Sequence, residues 1–288
     1  MALLVSSPHV TYPSPSSISH IPLNSKCSLS SFSFQRTLYS SRRLQPPLIV
    51  ASHLCTTTGT TTTTTTTTTV DTSLLNVAEA FSEDQLWAAS CLRVRSFYNF
   101  APTAYAIHDH KRDLAEREFE ALKERVAGKR EGFRRVSCIN ATLPLSELSS
   151  FSDDLCAECK FSDNGEDRVV VGTLDLNQCL RLPDEITGMK PEGIGADFLR
   201  AYLSNVCVAQ ELHRNGLGYS LVAKSKIVAQ DWGITDLYVH VAIDNEPAKN
   251  LYMKSSFVYE NDEPAWQARF LDRPRRLLLW IGLPGMQL

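Results

Sequence analysis

The first seventy residues of this 288-residue chain contain no aspartate or glutamate, and Asp71 is the first acidic residue. Serine is frequent in this segment, and its only charges are the scattered basic residues Lys26, Arg36, Arg42 and Arg43. A continuous apolar core is also missing near the first methionine, which argues against a secretory signal. Such a composition is typical of an organelle transit peptide.

Several details of this segment favour a plastid over a mitochondrion. The chain starts with Met-Ala, serine is abundant and arginine is sparse. The stretch Ile49 to Ser52 resembles a stromal processing site. We therefore predict that residues 1–51 are a plastid transit peptide and that the mature protein lies in the chloroplast stroma. An ordinary disordered tail remains the alternative.

A threonine run at residues 60–69 follows the predicted cleavage site. A homopolymer of one polar residue has no apolar face to bury, so residues 52–73 are predicted to be a disordered spacer. The remaining residues, 74–288, have the size of one domain.

Two further absences limit the partners of this domain. No apolar run approaches the length of about 20 residues that a membrane helix needs, so we expect no membrane insertion. Taking the four basic residues of the leader from the 29 in the chain leaves 25 against 32 acidic ones, a formal net charge of −7. A negative domain of this kind is a poor match for nucleic acid.

The cysteine spacing does not predict a metal site. Cys156 and Cys159 form the only close pair, with no second pair or nearby histidine to complete four zinc ligands. The pair is either a redox-sensitive dithiol or two unrelated thiols in an acidic loop, and the spacing favours the second interpretation.

Apolar periodicity predicts an α/β (α+β) domain. Four helices are expected. They are residues 86–98, the stretch that carries Ala115, Phe119, Leu122 and Val126, residues 217–232, which end at Gly233, and residues 245–255. Strands are expected over 133–141, 168–176, 201–208, 236–243, 257–259 and 277–281. Helices that follow strands, with antiparallel partners at both ends, predict a mixed sheet covered by helices.

A glycine turn, from His213 to Gly218, joins a predicted strand to a helix. Such a turn gathers backbone N–H groups at the positive end of the helix and can bind a pyrophosphate. A dinucleotide fingerprint would need a third glycine at Leu221, and an NTPase phosphate loop would need Gly-Lys-Ser/Thr, which is missing. The turn taken alone is equally compatible with a structural turn that binds no ligand.

A second motif follows about one βα unit later, with Asn245, Ala248, Leu251, Tyr252 and Phe257 at fixed spacings. Together, the two motifs resemble the cofactor motifs of the GNAT acetyltransferase superfamily, in the same order and at the same separation. The resemblance covers about residues 74–288 and implies the GNAT acyl-CoA N-acyltransferase fold, whose mixed, mostly antiparallel central sheet is flanked by helices. The tail from Pro264 to Trp280 further resembles the plastid GNAT enzymes of plants.

The resemblance implies acetyl-CoA as co-substrate and no metal. It assigns cofactor contacts to the strand before the turn, to the turn and to the second motif: Val206, Cys207, Val208, His213, Arg214, Asn215, Gly216, Leu217, Gly218, Tyr219, Asn245 and Tyr252. Two positions depart from the family pattern. His213 stands where arginine or glutamine is usual, with Arg214 beside it as a substitute charge, and Ser256 stands where glycine is usual.

The same resemblance assigns three catalytic residues. Tyr252 would be the general acid to the departing CoA thiolate, because a phenol with a pKa near 10 stays protonated at neutral pH. Tyr202 and His240 match a tyrosine and a histidine that serve as base through a bound water in eukaryotic N-terminal acetyltransferases. A structural role is the alternative for His240, and a plain core contact is the alternative for Tyr252.

The predicted function is direct acetyl transfer from acetyl-CoA to protein N-terminal α-amines and lysine ε-amines, as the resemblance to the plastid enzymes implies. No cysteine is placed to form a covalent intermediate. Acetylation of a small amine, such as an arylalkylamine or polyamine, is the second hypothesis, and a GNAT fold kept as a CoA-binding or partner-binding module is the third. The segments expected to select the acceptor, 97–110 and 260–276, carry no motif that identifies it.

Overall fold

The computed structural model describes residues 71–100, 106–148, 153–180, 196–270 and 272–284. The predicted transit peptide and residues 52–70 of the predicted spacer lie outside these ranges. The described chain begins with a short 3₁₀ helix, Thr72–Leu74, which Asp71 caps by accepting from the Ser73 N–H.

Eight strands form one sheet in the described part of the chain. They are β1 (Asn76–Glu79), β2 (Phe133–Pro144), β3 (Lys160–Asp163), β4 (Glu166–Cys179), β5 (Arg200–Val208), β6 (Asp236–Ala242), β7 (Val258–Asp262) and β8 (Arg276–Gly282). The helices are α1 (Glu83–Phe97), α2 (Ile107–Val126), α3 (Asp153–Glu158), α4 (Leu217–Asp231), α5 (Glu246–Lys254) and α6 (Ala265–Phe270).

The sheet is mixed and mostly antiparallel. Its strand order is β1-β2-β4-β5-β6-β8-β7, with β3 paired to β4 off this path. Only the described pair β5 and β6 is parallel, and α4 makes the crossover between them. Parallel neighbours need such a crossover because a tight turn cannot join them. The predicted fold class, an α/β domain with a mixed sheet flanked by helices, is confirmed.

Helices cover both faces of the sheet. The Thr173 hydroxyl contacts Arg93 of α1, whereas a Cβ placed on the preceding Gly172 would lie 2.9 Å from Leu221 of α4. Because successive residues of a strand point to opposite faces, α1 and α4 lie on opposite sides of the sheet. The apolar stripes predicted for α2 and α4 do face the core, where Leu122 and Leu221 are fully buried.

The predicted elements are present, with ends that differ by a few residues, and besides short 3₁₀ helices the described residues contain four short strands and α-helices that were not predicted. These are β1, β3, α3 and α6, each of four to six residues. Cys156 lies in α3 and Cys159 in the connection from α3 to β3, both as free thiols, so Cys156 is not in a loop as expected. Cys159 is buried, and the Cys156 thiol donates to the Leu148 carbonyl.

Candidate functional site

A cavity of about 330 Å³ opens where β5 and β6 separate. The two strands pair from Arg200 opposite Asp236 to Leu203 opposite Val239, and their pairing ends there although both strands continue. Residues beyond this point on each strand line the cavity, together with α5 and the last residue of α1. A gap in a sheet between diverging strands leaves backbone groups available to a ligand.

A β-bulge shapes the β5 wall of this cavity. Thr173 pairs with Cys207 and Asp175 with Ser204, so that one residue of β4 lies opposite two residues of β5. Asn205, one of those two, has φ of 53°. Asparagine is one of the few residues besides glycine that enter this left-handed region readily, and the extra residue bends the strand.

Helix α5 carries Tyr252 into the cavity, where the phenol is buried and stacks edge-on against Phe257 at 5.6 Å. Both ends of the helix are fixed by hydrogen bonds. At the start, the Asn245 side chain accepts from the Ala248 N–H at 3.1 Å, so Asn245 is the N-cap. At the end, Lys226 of α4 donates to the Ser255 carbonyl and lies over the Phe257 ring.

The exit of α5 passes through Ser256, the position at which glycine is usual in the resembled family. Ser256 has φ of 66°, and the Phe257 N–H donates to the Tyr252 carbonyl at 3.0 Å. This six-to-one bond is that of a Schellman motif, which requires a left-handed residue. The turn therefore forms with serine, at the cost of a strained backbone conformation.

Tyr202 and His240 meet on the other side of the cavity. The Tyr202 hydroxyl and His240 Nδ1 are 3.1 Å apart, and the histidine tautomer decides which of them donates. Burial, followed by the charge of Arg276, lowers the pKa of His240 to about 3, so the imidazole is neutral near neutral pH. Burial raises the pKa of Tyr202. It also raises the pKa of Tyr252, with the neighbouring Tyr202 adding to the effect.

The glycine turn lies beside the cavity at the start of α4. Gly216 is the N-cap with φ of 80°, and no side chain caps this helix end in the described chain. A Cβ at Gly216 would meet nothing within 4 Å, so the turn is open on that side. A Cβ at Gly218 would lie 3.2 Å from Leu251 of α5, which places the turn against the helix that carries Tyr252.

The side chain of His213 is engaged within the chain. Its Nε2 lies 3.0 Å from the Val208 carbonyl, at the end of β5. Arg214 and Tyr219 are exposed, and Asn215 donates to the Leu212 carbonyl. The imidazole of His213 therefore ties the turn to the strand, and Arg214 is the cation left exposed on the turn.

The predicted site residues fall into two groups. Five of them line the cavity: Tyr202, Val206, His240, Asn245 and Tyr252. The other predicted cofactor residues are not among its lining, and Cys207 and Leu217 are buried in the core.

The lining also includes residues that the sequence did not single out as site residues: Phe97, Asn205 and Arg276. Arg276 pairs with Glu263 at 3.1 Å, and Arg273 pairs with the same carboxylate. Phe97 and Arg276 lie at the ends of the two segments expected to select the acceptor. A polar residue inside an apolar strand was the available signal for Asn205, since side-chain amides favour bends and bulges.

The described residues offer neither a metal-ion site nor a membrane-spanning helix. They contain no group of three or more histidine, cysteine, aspartate or glutamate side chains placed to hold a metal ion. None of their helices is both long enough and apolar enough to span a membrane.

Comparisons with known proteins agree with the motifs. The model of the acetyltransferase (GNAT) family matches residues 143–257. The chain is 66% identical over 238 residues to "GCN5-related N-acetyltransferase 7, chloroplastic" of Arabidopsis thaliana, covering 83% of both chains. It is 28% identical over 190 residues to "GCN5-related N-acetyltransferase 6, chloroplastic" of the same plant, covering 62% of this chain and 60% of that one.

Among solved structures, a PaiA N-acetyltransferase from Thermoplasma acidophilum in complex with coenzyme A is 11% identical, with a TM-score of 0.42. The alignment covers 72% of this chain and 98% of that one.

Proposed function

The chain belongs to the GNAT acetyltransferase family, and from that premise we propose that it acetylates protein amines in the chloroplast with acetyl-CoA as donor. The acceptors would be both N-terminal α-amines and lysine ε-amines. The word chloroplastic in the names of both Arabidopsis relatives supports the location. The observation that carries the proposal is the cavity between β5 and β6, which brings Tyr252 together with the hydrogen-bonded pair Tyr202 and His240.

The start of α4 would hold the pyrophosphate of the donor. Its first-turn N–H groups have no side-chain cap, and the helix dipole favours an anion there. The open side of Gly216 leaves room for a phosphate, and Arg214 supplies an exposed cation. The strand residues Val206 to Val208 would offer backbone groups to the pantetheine arm, as an added strand would.

Tyr252 would act as general acid. Acetyl-CoA supplies the acetyl group as an activated thioester. The raised pKa of Tyr252 keeps its hydroxyl protonated as a donor at the site where negative charge develops on the leaving group, although the same rise lowers its driving force for giving up the proton.

Tyr202 and His240 would receive the proton that the amine loses, through an intervening water. The neutral imidazole has a lone pair for this purpose at every pH above about 3. A base with so low a pKa has little driving force for proton uptake, so its contribution should be small by Brønsted reasoning. The positive charge of Arg276 on the same cavity wall also favours a neutral over a charged amine.

A panel of acceptors tests the proposed function. We would measure CoA release by the protein lacking residues 1–70 with four kinds of amine: a peptide with only a free N-terminus, a peptide with only a free lysine, a polyamine and an arylalkylamine. Turnover with both peptides is expected. Turnover with the small amines alone would contradict the proposed acceptor class, and acetyl-CoA binding with no turnover on any amine would indicate a binding module.

A further inference from the structure

The bulge in β5 is tied to a buried group of charges behind the cavity wall. Asn205 donates from Nδ2 to Asp175 Oδ2 at 2.8 Å. Asp175 lies on β4 and has no exposed surface. Among the described residues, the Asn205 side chain therefore bonds to the buried charges behind the cavity wall, although Asn205 itself lines the cavity.

Two arginines hold the Asp175 carboxylate in place. Arg93 of α1 donates to both of its oxygens, at 2.6 Å and 3.2 Å, and Arg125 of α2 lies 3.2 Å from Oδ2. Glu118 of α2 contacts both guanidinium groups, at 3.0 Å and 3.6 Å. Two-point contact between guanidinium and carboxylate fixes orientation as well as distance, so the acceptor that Asn205 meets is rigidly placed.

The charges of this group balance, since two arginines face two carboxylates. Burial alone would raise the pKa of Asp175, but Arg93 and Arg125 outweigh it and lower that pKa. Asp175 therefore stays an ionised acceptor for Asn205 over the working pH range. Charge-assisted hydrogen bonds of this kind are about twice as strong as neutral ones.

The geometry points to Asn205 as a positioning residue: its bond to Asp175 anchors the bulged backbone of residues 204–206, which forms the β5 wall of the cavity. A backbone held in the left-handed region needs such an anchor, because nothing in the strand ladder fixes the extra residue. Acetyl donor and amine must be aligned against this wall, and errors of about 1 Å in alignment can cost about a hundredfold in rate.

Asn205→Gly tests the anchor, because glycine keeps the left-handed backbone and removes only the side-chain bond. The matched control is Asn164→Gly, at a residue with φ of 50° in the turn between β3 and β4, outside the cavity lining. The assay uses whichever amine the wild type acetylates, so a wrong acceptor proposal does not affect it. Acetyl-CoA affinity is measured separately by calorimetry.

We expect Asn205→Gly to lower kcat by about tenfold or more while the Kd of acetyl-CoA changes by less than about threefold. The control should leave kcat unchanged. A folded Asn205→Gly protein with kcat within about twofold of the wild type would overturn the inference, as would a kcat loss matched by the control.

Asn205→Asp provides a second test if the glycine variant does not fold. Its carboxylate would repel Asp175 when ionised, and a proton shared between the two groups would restore the bond. The kcat of this variant relative to wild type should therefore rise as the pH is lowered from about 9 to about 6. A ratio that stays flat and near one would equally overturn the inference.

Discussion

Two groups of buried polar side chains lie on neighbouring strands and differ in how they are neutralised. In the group around Asp175, each charge meets an opposite charge from the same chain, and Arg93 and Asp175 are completely buried. The group in the cavity has neutral members, because burial moves the pKa values of Tyr202 and Tyr252 upward and that of His240 downward.

This difference separates stability from chemistry. Charges that are paired within the chain are expensive to remove singly, because the remaining partner stays buried without compensation. Removing a neutral hydroxyl or imidazole costs the fold less, about 1–3 kcal/mol where a buried hydrogen-bond partner is left unsatisfied, and these are the groups that can exchange protons with a ligand. Substitutions in the first group should therefore act mainly on unfolding, with an added effect on turnover where they remove the acceptor of Asn205, and substitutions in the second group should act on turnover.

The largest effect is expected from Asp175→Ala. Loss of the carboxylate leaves the buried guanidinium groups of Arg93 and Arg125 with Glu118 as their shared counter-charge, and breaking a buried ion pair costs about 3–5 kcal/mol of the free energy of unfolding. Chemical denaturation followed by circular dichroism measures this loss in the free energy of unfolding. The double variant Asp175→Leu with Arg93→Met should regain a large part of the loss. A single variant as stable as the wild type would show that the charge pairing does not stabilise the fold.

Tyr252→Phe should act on turnover instead. The phenyl ring keeps the contact with Phe257, and only the hydroxyl proton is lost, so kcat should fall about a hundredfold or more with little change in acetyl-CoA affinity. Stopped assays of CoA release, combined with calorimetric binding, separate the two quantities. Met253→Leu, at an exposed position of the same helix, is the control. A kcat unchanged within about twofold would remove Tyr252 from the mechanism.

The sequence predicted the long elements and the second motif because their signals are local. The β3–β4 hairpin was missed although Asn164 and Gly165 form its turn, both with positive φ, as the Asn-Gly signal of a hairpin requires. The strand before the turn is only four residues long and has a single apolar residue, Phe161, so it is too short to show the repeated alternation that marks a strand.

The candidate site was predictable only where a motif carried it. Asn205 lies at the cavity because of the bulge in β5, and Arg276 lies there because β8 pairs with β6. Neither placement follows from residue spacing along the chain. Strand register and bulges are tertiary properties, since they depend on which strands become neighbours. Arg93 and Arg125, the partners of Asp175, precede it by 82 and 50 positions in the sequence, and no local pattern could reveal such contacts.

Gly216→Asp should abolish most of the thermal protection that acetyl-CoA gives, because its carboxylate would lie at the open side of the turn. Protection by a ligand at a hundredfold excess over Kd is worth about 2.7 kcal/mol. Gly216→Asn is the matched control, since asparagine has the same shape, tolerates the left-handed backbone and carries no charge. Equal protection of the two variants in differential scanning fluorimetry would contradict a pyrophosphate site at this turn.

His240→Ala should lower kcat by about tenfold, less than is typical of a general base, because the imidazole is so weakly basic. An α-amine titrates near 7.7–8.0 and a lysine amine near 10.4, so lysine acetylation should suffer at least as much as N-terminal acetylation. Rates measured from about pH 6.5 to 9.5 should rise through ionisation of the amine alone, with no inflection from His240. An inflection near pH 6.5 that disappears in the variant would show that His240 titrates normally.

The smallest effect is expected at Ser256, where the helix that carries Tyr252 ends. A non-glycine residue in the left-handed region destabilises the folded state by about 1–2 kcal/mol. Glycine avoids this strain but loses about 0.5–1 kcal/mol of stability because its unfolded state is more flexible. Ser256→Gly should therefore stabilise the protein by about 0.5–1 kcal/mol, which raises Tm by a few degrees in a domain of this size.

Ser256→Ala keeps the Cβ and the strain, so it should give no stabilisation and separates the backbone effect from loss of the hydroxyl. Since α5 already forms with serine, kcat should stay the same in both variants. A stabilised Ser256→Gly protein with lower turnover would mean that the strained exit itself sets the position of Tyr252 in the cavity.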